Sequence, residues 1–339
     1  MPNRPALLLA RPPHEDRVVT EDVLSDVLGA VRLTGAVYFD FELRAPWVAE
    51  APPSQDIVPV VMPGAQRLIE YHLLARGSCW AHAVGAEPIR LAEGDLVLFP
   101  QGDPHVLASS PGMRASPDLA MYARGSTPLP LFYEIGDGAA SEARVICGFL
   151  GCDDRPFNPL LDALPRMLHV PASPGGDGWI NTLLMTAVRE SRSGRPGAEN
   201  VLARLSELMF VETIRRHLER LPEQAGWLAG LRDPVVGKAL AAFHGDPAGA
   251  WTVDTLARQA GASRSVLAER FTAMVGQPPM QYVTLWRMQL ASRALKDGAA
   301  IADVAATVGY DSEAAFSRAF KKAVGHSPGA WRRTAGTPR

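Results

Sequence analysis

Hydrophobic positions change their spacing along this chain. From Val37 to about Phe149, apolar residues come in short alternating runs such as AVYFDFEL, QRLIEYHLLARG and IRLAEGDLVLFP, separated by Gly, Pro and Asp. Period-two alternation broken at such intervals predicts an antiparallel barrel or sandwich. Further on the spacing becomes helical. Trp179 to Glu190 reads as a short helix and SRSGRPGA, Ser191 to Ala198, as a loop. Glu199 to Leu221 reads as a longer helix with apolar positions at Val201, Leu205, Leu208 and Met209, then Leu218 and Leu221. Asp233-Pro234 starts the next helix, with Asp as cap and Pro at the first position. The break between two bodies therefore falls near Ala225 to Arg232.

The C-terminal pattern is duplicated. Ala257 and Gly261 recur as Ala305 and Gly309, and Ser263, Leu267, Phe271, Gly276, Pro279 and Tyr282 as Ser312, Phe316, Phe320, Gly325, Pro328 and Trp331. In each copy a small residue lets two helices cross closely and a glycine four residues on makes the turn. Ser263 and Ser312 (or Asp311) cap the helix that follows. Leu267 and Phe271, or Phe316 and Phe320, form its buried stripe. Gly276 and Gly325 end it, each with a proline three residues later. The units span about residues 252–276 and 301–325.

This segment, from about Asp233 to Arg333, resembles the DNA-binding domain of the AraC/XylS family of transcription regulators. The residues that carry the resemblance are WTVDTLARQAG at Trp251 to Gly261, PMQYVTLWRMQLASRAL at Pro279 to Leu295, IADVAATVGY at Ile301 to Tyr310 and FSRAFKKAVGHSPGAWRR at Phe316 to Arg333. The resemblance implies two helix-turn-helix units joined by a long helix, here about Met280 to Leu295. Their recognition helices would enter successive major-groove segments of double-stranded promoter DNA, about 34 Å apart. It also implies RNA polymerase as a partner.

Chemistry sorts the outward residues of the two recognition helices. Arg318 suits bidentate bonding to guanine, Glu313 and Glu269 could accept from cytosine, and Ser265 and Ser317 suit base edge or phosphate. Arg264, Lys321 and Lys322 suit phosphates. Ala268 and Ala314 offer only methyl contact to thymine. Charge points the same way. The whole chain carries a net −2, but residues 231–339 hold 14 Lys+Arg against 8 Asp+Glu, a net of +6, leaving −8 on residues 1–230. A basic module on an acidic body suits phosphate contact by one end.

The alternating region holds a second resemblance. GDLVLFPQGDPH, Gly94 to His105, spells G-x5-P-x-G-x2-H and is similar to the second motif of the cupin barrel. Glu70 and Gly77 stand at the E-x6-G spacing that ends the first cupin motif, while PGAQ at Pro63 to Gln66 replaces its two upstream histidines. A replacement set is at hand. His72 lies two residues beyond Glu70 on the same strand face, His105 ends the second motif, and Cys147 sits in the strand-like RVICGFL. Two imidazoles and a thiolate form a soft set for zinc or copper, with Glu70 or water as a fourth ligand. Cys147 activated by a histidine would instead be an oxidant sensor. The run also resembles a subgroup of cupin-type AraC regulators, some of which respond to reactive oxidants. Cys79 and Cys152 are weaker candidates, since Asp153 and Asp154 would raise the thiol of Cys152.

Composition bounds the rest. At 339 residues, 47% hydrophobic and 21% charged, the chain predicts about two globular domains. It has no run of 18 apolar residues. Met1 to Arg17, with four prolines, does not read as a signal peptide. Three cysteines fit a reducing cytosol. The expected fold is therefore an α+β multidomain chain. Residues 1–158 form a cupin-like sensor, 159–230 a helical linker and 231–339 the DNA-binding domain. In the resembling family that linker region commonly supplies dimer contacts. The expected function is a cytoplasmic transcription regulator whose barrel senses a small molecule, metal or oxidant. One alternative is a metal-dependent cupin enzyme fused to a DNA-binding domain, which the missing histidine pair opposes. Another is a barrel that only mediates protein contacts.

Overall fold

The computed structural model describes residues 22–31, 33–152, 156–172, 179–221 and 226–335. Met1 to Arg17, Asp153, Asp154 and the Ala225 end of the expected domain break fall outside the described residues.

The alternating region folds into two stacked sheets. Its strands are β1 (Thr34–Leu43), β2 (Val48–Ala51), β3 (Arg67–Arg76), β4 (Ser78–Ala83), β5 (Ile89–Ala92), β6 (Leu96–Phe99), β7 (His105–Ala108), β8 (Leu131–Ile135), β9 (Ala143–Cys152) and β10 (Leu168–Val170). Six form one sheet in the order β10-β6-β3-β9-β1-β8, and four form the other in the order β2-β7-β4-β5. Pairing is antiparallel except between β1 and β8. The expected cupin-like barrel is thus present as a sandwich of unequal sheets.

The helices are α1 (Val23–Val31), α2 (Ser54–Val61), α3 (Pro159–Ala163), α4 (Trp179–Glu190), α5 (Ala198–Arg220), α6 (Gly226–Gly230), α7 (Val236–Gly245), α8 (Val253–Ala260), α9 (Arg264–Val275), α10 (Pro279–Lys296), α11 (Ile301–Thr307), α12 (Glu313–Val324) and α13 (Pro328–Ala335). None is long and apolar enough to cross a membrane among the described residues. α5 lies along β1 on the outer face of the larger sheet, so β3 and β9 are covered on both faces. That is why both strands read as nearly continuous apolar runs with only faint alternation. On β3, Leu68, Glu70, His72 and Leu74 face the space between the sheets. Ile69, Tyr71 and Leu73 face the helices. On β9, Val145, Cys147 and Phe149 face inward, whereas Ile146, Leu150 and Cys152 face the helices.

The expected stripe on α5 is only partly the buried face. Leu205 and Met209 are buried, but Val201 and Leu208 are each 44% exposed. Leu202, Phe210 and Ile214 complete the buried side. Helical spacing located the helix, while its packing face follows from the sheet beneath it.

The duplicated segment folds as two helical pairs, α8–α9 and α11–α12, bridged by α10. Ser263 accepts from the Val266 N–H and Ser312 from that of Ala315, so Ser312 rather than Asp311 caps the second recognition helix. Gly276 and Gly325 end these helices in the left-handed region, and Pro279 and Pro328 begin the next. Asp233 Oδ1 accepts from Val235 and Val236 at 2.9 Å, but the helix begins at Val236 with Val235 at its cap position, so Pro234 precedes the helix instead of occupying its first position. The first unit belongs to one hydrophobic cluster with the outer face of the larger sheet, including Tyr71, Phe210, Leu267, Phe271, Tyr282 and Trp286. The second unit has a separate cluster built on Phe316 and Phe320.

Candidate functional site

The space between the sheets is a cavity of about 420 Å³, within the range of small-molecule sites. Phe39, Phe41, Trp47, Tyr122, Tyr133 and Phe149 supply aromatic wall. Glu70, His72, His105 and Cys147, the four residues singled out in the sequence, all line it together.

Register explains the meeting. His72 on β3 and Cys147 on β9 are direct cross-strand partners in adjacent antiparallel strands. His105 enters from β7 in the opposite sheet, and Phe99 of β6, on the same sheet as His72, stacks on its ring at 3.7 Å between centroids. His72 Nδ1 lies 2.8 Å from Cys147 Sγ, and His72 Nε2 lies 2.7 Å from His105 Nε2. His105 Nδ1 lies 2.8 Å from the Asp103 carbonyl. A carbonyl only accepts, so Nδ1 of His105 carries its proton and Nε2 presents a lone pair. His72 therefore donates from Nε2, and its Nδ1 accepts from the Cys147 thiol. The result is a one-way chain from thiol through two imidazoles to a backbone carbonyl.

The electrostatics keep this chain neutral. Burial holds His72 well below the usual histidine range, reinforced by His105. Burial also pushes His105 down to about 4, despite its bond to Asp103. Burial, followed by the charges of Glu70, Asp40 and Cys79, pushes the Cys147 thiol well up. Burial raises Glu70 to about 8. Its Oε1 is buried with no hydrogen-bond partner, and its Oε2 stands 3.9 Å from His105 Nε2. Glu70, His72 and His105 can bring their ligand atoms within 4.8 Å of one another, a cluster able to hold a metal ion. Cys147 joins that cluster through the far side of the His72 ring, so the four residues form a chain rather than surrounding one point. Cys79 is buried among the inward apolar residues, in the same cluster as Cys147, and Cys152 among those facing the helices.

The other candidate surface is the outer face of α9 and α12. Arg264, Ser265, Glu269, Glu313, Ala314, Arg318, Lys321 and Lys322 are exposed, while Ala268 and Ser317 are half-buried. Arg264 lies 3.5 Å from Asp254 of the preceding helix. Two residues escaped the sequence reading. Val266 is 46% exposed beside Ser265, an apolar side chain where only an outward face would leave it. Arg270 is tied to the capping Asp233 at 2.6 Å, so it holds α9 to the start of α7.

Comparison with known proteins bears on both surfaces. A cupin family model matches residues 22–219 and a helix-turn-helix domain model matches residues 256–334. A Streptomyces lividans protein described as an AraC-like transcription regulator is 40% identical over 273 residues, 79% of this chain and 88% of that protein. The HTH-type transcriptional regulator AlkR of Acinetobacter baylyi is 30% identical over 273 residues, 76% of this chain and 89% of AlkR. Among solved structures, the DNA-binding domain of AdpA in complex with a target DNA is 29% identical, covering 30% of this chain and 92% of that one, with a TM-score of 0.28.

Proposed function

The chain belongs to the AraC-like transcription regulators that join a cupin domain to a helix-turn-helix domain, and from that premise we propose that its cavity receives the signal that sets how the first helix-turn-helix unit meets DNA. One observation carries this reading. β3 and β9 place Glu70, His72 and Cys147 in the cavity, and the alternate residues of the same strands in the core shared with the first unit. Tyr71, between Glu70 and His72, points the other way and bonds Ser206 of α5 at 2.5 Å. A displacement of β3 by an occupant would therefore reach α5 and the core around Tyr282 and Trp286. An effector acts in this way only by binding two arrangements unequally.

On the DNA side, Arg318 is the principal base reader, with Glu313, Ser317, Ser265 and Glu269 at base edges. Ala268 and Ala314 lie within methyl contact, and Arg264, Lys321 and Lys322 are on phosphates. A selected operator, titrated by fluorescence anisotropy, tests this. Arg318→Ala should weaken specific binding by roughly 1–3 kcal/mol and relax preference at one base pair, whereas Lys321→Ala should weaken all sequences alike and lower the salt slope by about one. Equal affinity for operator and random DNA in the parent chain would overturn the reading.

Two further partners belong to the same proposal. The exposed Met185, Val201 and Leu208 on α4 and α5 suit contact with a second copy. Sedimentation of Leu208→Glu should then show monomer where the parent shows dimer. Contact with RNA polymerase would appear as promoter-dependent change in transcription in a purified system.

A further inference from the structure

We propose that the cavity floor is a site for a divalent cation of the zinc class, held by Glu70, His72 Nε2 and His105 Nε2, with Cys147 outside the coordination sphere as the hydrogen-bond partner of His72. This deepens the reading of the cavity as the signal-receiving site and rests on it.

His105 and Glu70 are prepared by their surroundings, and His72 becomes a ligand when its proton moves from Nε2 to Nδ1. The Asp103 carbonyl fixes the proton of His105 on Nδ1 and turns the Nε2 lone pair inward. A metal-bound histidine characteristically donates its other ring N–H in this way. Glu70 is 1% exposed, yet Oε1 has no partner and Oε2 approaches His105. A carboxyl group buried with an orphaned oxygen is costly unless something comes to it. Two imidazoles and one carboxylate suit a borderline cation better than magnesium or calcium, which prefer all-oxygen cages. The fourth side of the cluster is the cavity itself, leaving a position for water or an incoming oxygen ligand.

Cys147 is excluded by the direction of its contact. Its sulfur meets Nδ1 of His72, whereas His105 meets Nε2. An ion bound at Nε2 lies across the ring from the sulfur. The His72 proton then rests on Nδ1 and is donated to Cys147 Sγ. Binding also has a mechanical consequence. The two Nε2 atoms stand 2.7 Å apart, and a tetrahedral ion with Zn–N near 2.0–2.1 Å needs roughly 3.3 Å between them. Since His72 and His105 lie on opposite sheets, the ion would move β3 relative to β7.

The test uses the full-length chain, stripped with chelator and titrated with Zn(II) against a chromophoric competitor, then loaded with Co(II) for absorption spectra. The expected result is one zinc per chain. Glu70→Gln, His72→Ala and His105→Ala should each weaken binding by at least about 100-fold, and Cys147→Ser by about 10–100-fold at unchanged stoichiometry. Cobalt in the parent chain should give visible ligand-field bands without an intense near-ultraviolet sulfur-to-metal band. Such a band, absent from Cys147→Ser, would put Cys147 in the coordination sphere and overturn this ligand set. A folded parent chain that takes up no zinc would overturn the site. The parent spectra decide even where a variant fails to fold. Operator binding by the metal-free chain is measured separately, so loss of the metal site leaves the regulator reading standing or falling on its own data.

Discussion

Tyr71 is one of the residues through which the cavity strand touches the helices, and it does so with a hydrogen bond. Its hydroxyl meets Ser206 Oγ, and Ser206 also bonds the Leu202 carbonyl at 2.8 Å. Tyr71→Phe removes this bond and a longer one to the Ala36 carbonyl at 3.5 Å, while Ser206 keeps its own, so urea denaturation should show a loss of about 1 kcal/mol. A change in operator response larger than this loss implies would mark the bond as part of the coupling. His244 makes a different prediction. Its Nε2 lies 2.9 Å from the Tyr282 hydroxyl, which in turn accepts from Trp227 Nε1 at 3.2 Å. The His244 Nδ1 on the other side of the ring is buried without a hydrogen-bond partner and stands 3.9 Å from Asp26. Burial lowers His244 to about 3. The unfolded chain takes up this proton first, so the associated stability is complete above about pH 6.5 and lost as pH falls toward 3. His244→Gln keeps an acceptor for Tyr282 and does not titrate. Between pH 5 and 6 its stability should fall less steeply than the parent's by about 1.4 kcal/mol per pH unit. The remaining slope belongs to groups such as His72, His105 and His217, which burial also lowers. At this scale the sequence was legible wherever local periodicity suffices. The period of two put Glu70 and His72 on one face, and motif spacing picked out His105. Which nitrogen of His72 meets Cys147 depends on strand register and ring orientation, and neither is written in local spacing. His244 gave no signal because its partners lie 38 residues away in α10 and beyond.

The two helix-turn-helix elements look alike in sequence but stand in different surroundings, and their turn glycines separate them. Gly261 has φ 66° and Gly309 φ 76°, both in the left-handed region. A Cβ on Gly261 would meet nothing within 4 Å, whereas one on Gly309 would lie 2.4 Å from the Ala248 carbonyl oxygen. Gly261→Ala should cost about 1–2 kcal/mol, the left-handed penalty alone. Gly309→Ala should cost clearly more, because backbone must shift as well. Thermal melts of the two variants check the order, and equal losses would mean that the contact with Ala248 relaxes freely. The repeat, caps and stops were readable because each is set by residues within one turn of the helix end. The buried face of α5 was not, since Val201 and Leu208 follow helical spacing as faithfully as Leu205 does. Only the sheet under Leu202, Leu205 and Met209 distinguishes them.

Across the whole molecule, the division of hydrophobic clusters does not follow the division of the sequence pattern. The first helix-turn-helix unit shares a core with the outer face of the larger sheet, while the second packs around Phe316 and Phe320. Phe157 sits at the junction, its ring edge-on to Tyr282 at 5.4 Å and its N–H donating to Gln289 Oε1 of α10 at 3.1 Å. Arg293 of the same helix donates to the Gly29 carbonyl of α1. The segment after β9 thus holds α10 at Tyr282, in the half that serves the first unit, and at Gln289, while α1 holds it at Arg293 near its far end. Phe157→Ala removes the ring contact with Tyr282 and keeps the backbone bond to Gln289, without touching the cavity or either recognition helix. Native-state hydrogen exchange should then quicken in α6, α9 and the first half of α10, and leave α11 and α12 unchanged. Uniform quickening would mean that both units unfold as one body with the barrel. If the cavity receives the signal as proposed, this asymmetry predicts where it is felt on DNA. The half-site under α9 would gain or lose contact first, and the half-site under α12 would keep the chain on its operator in either state.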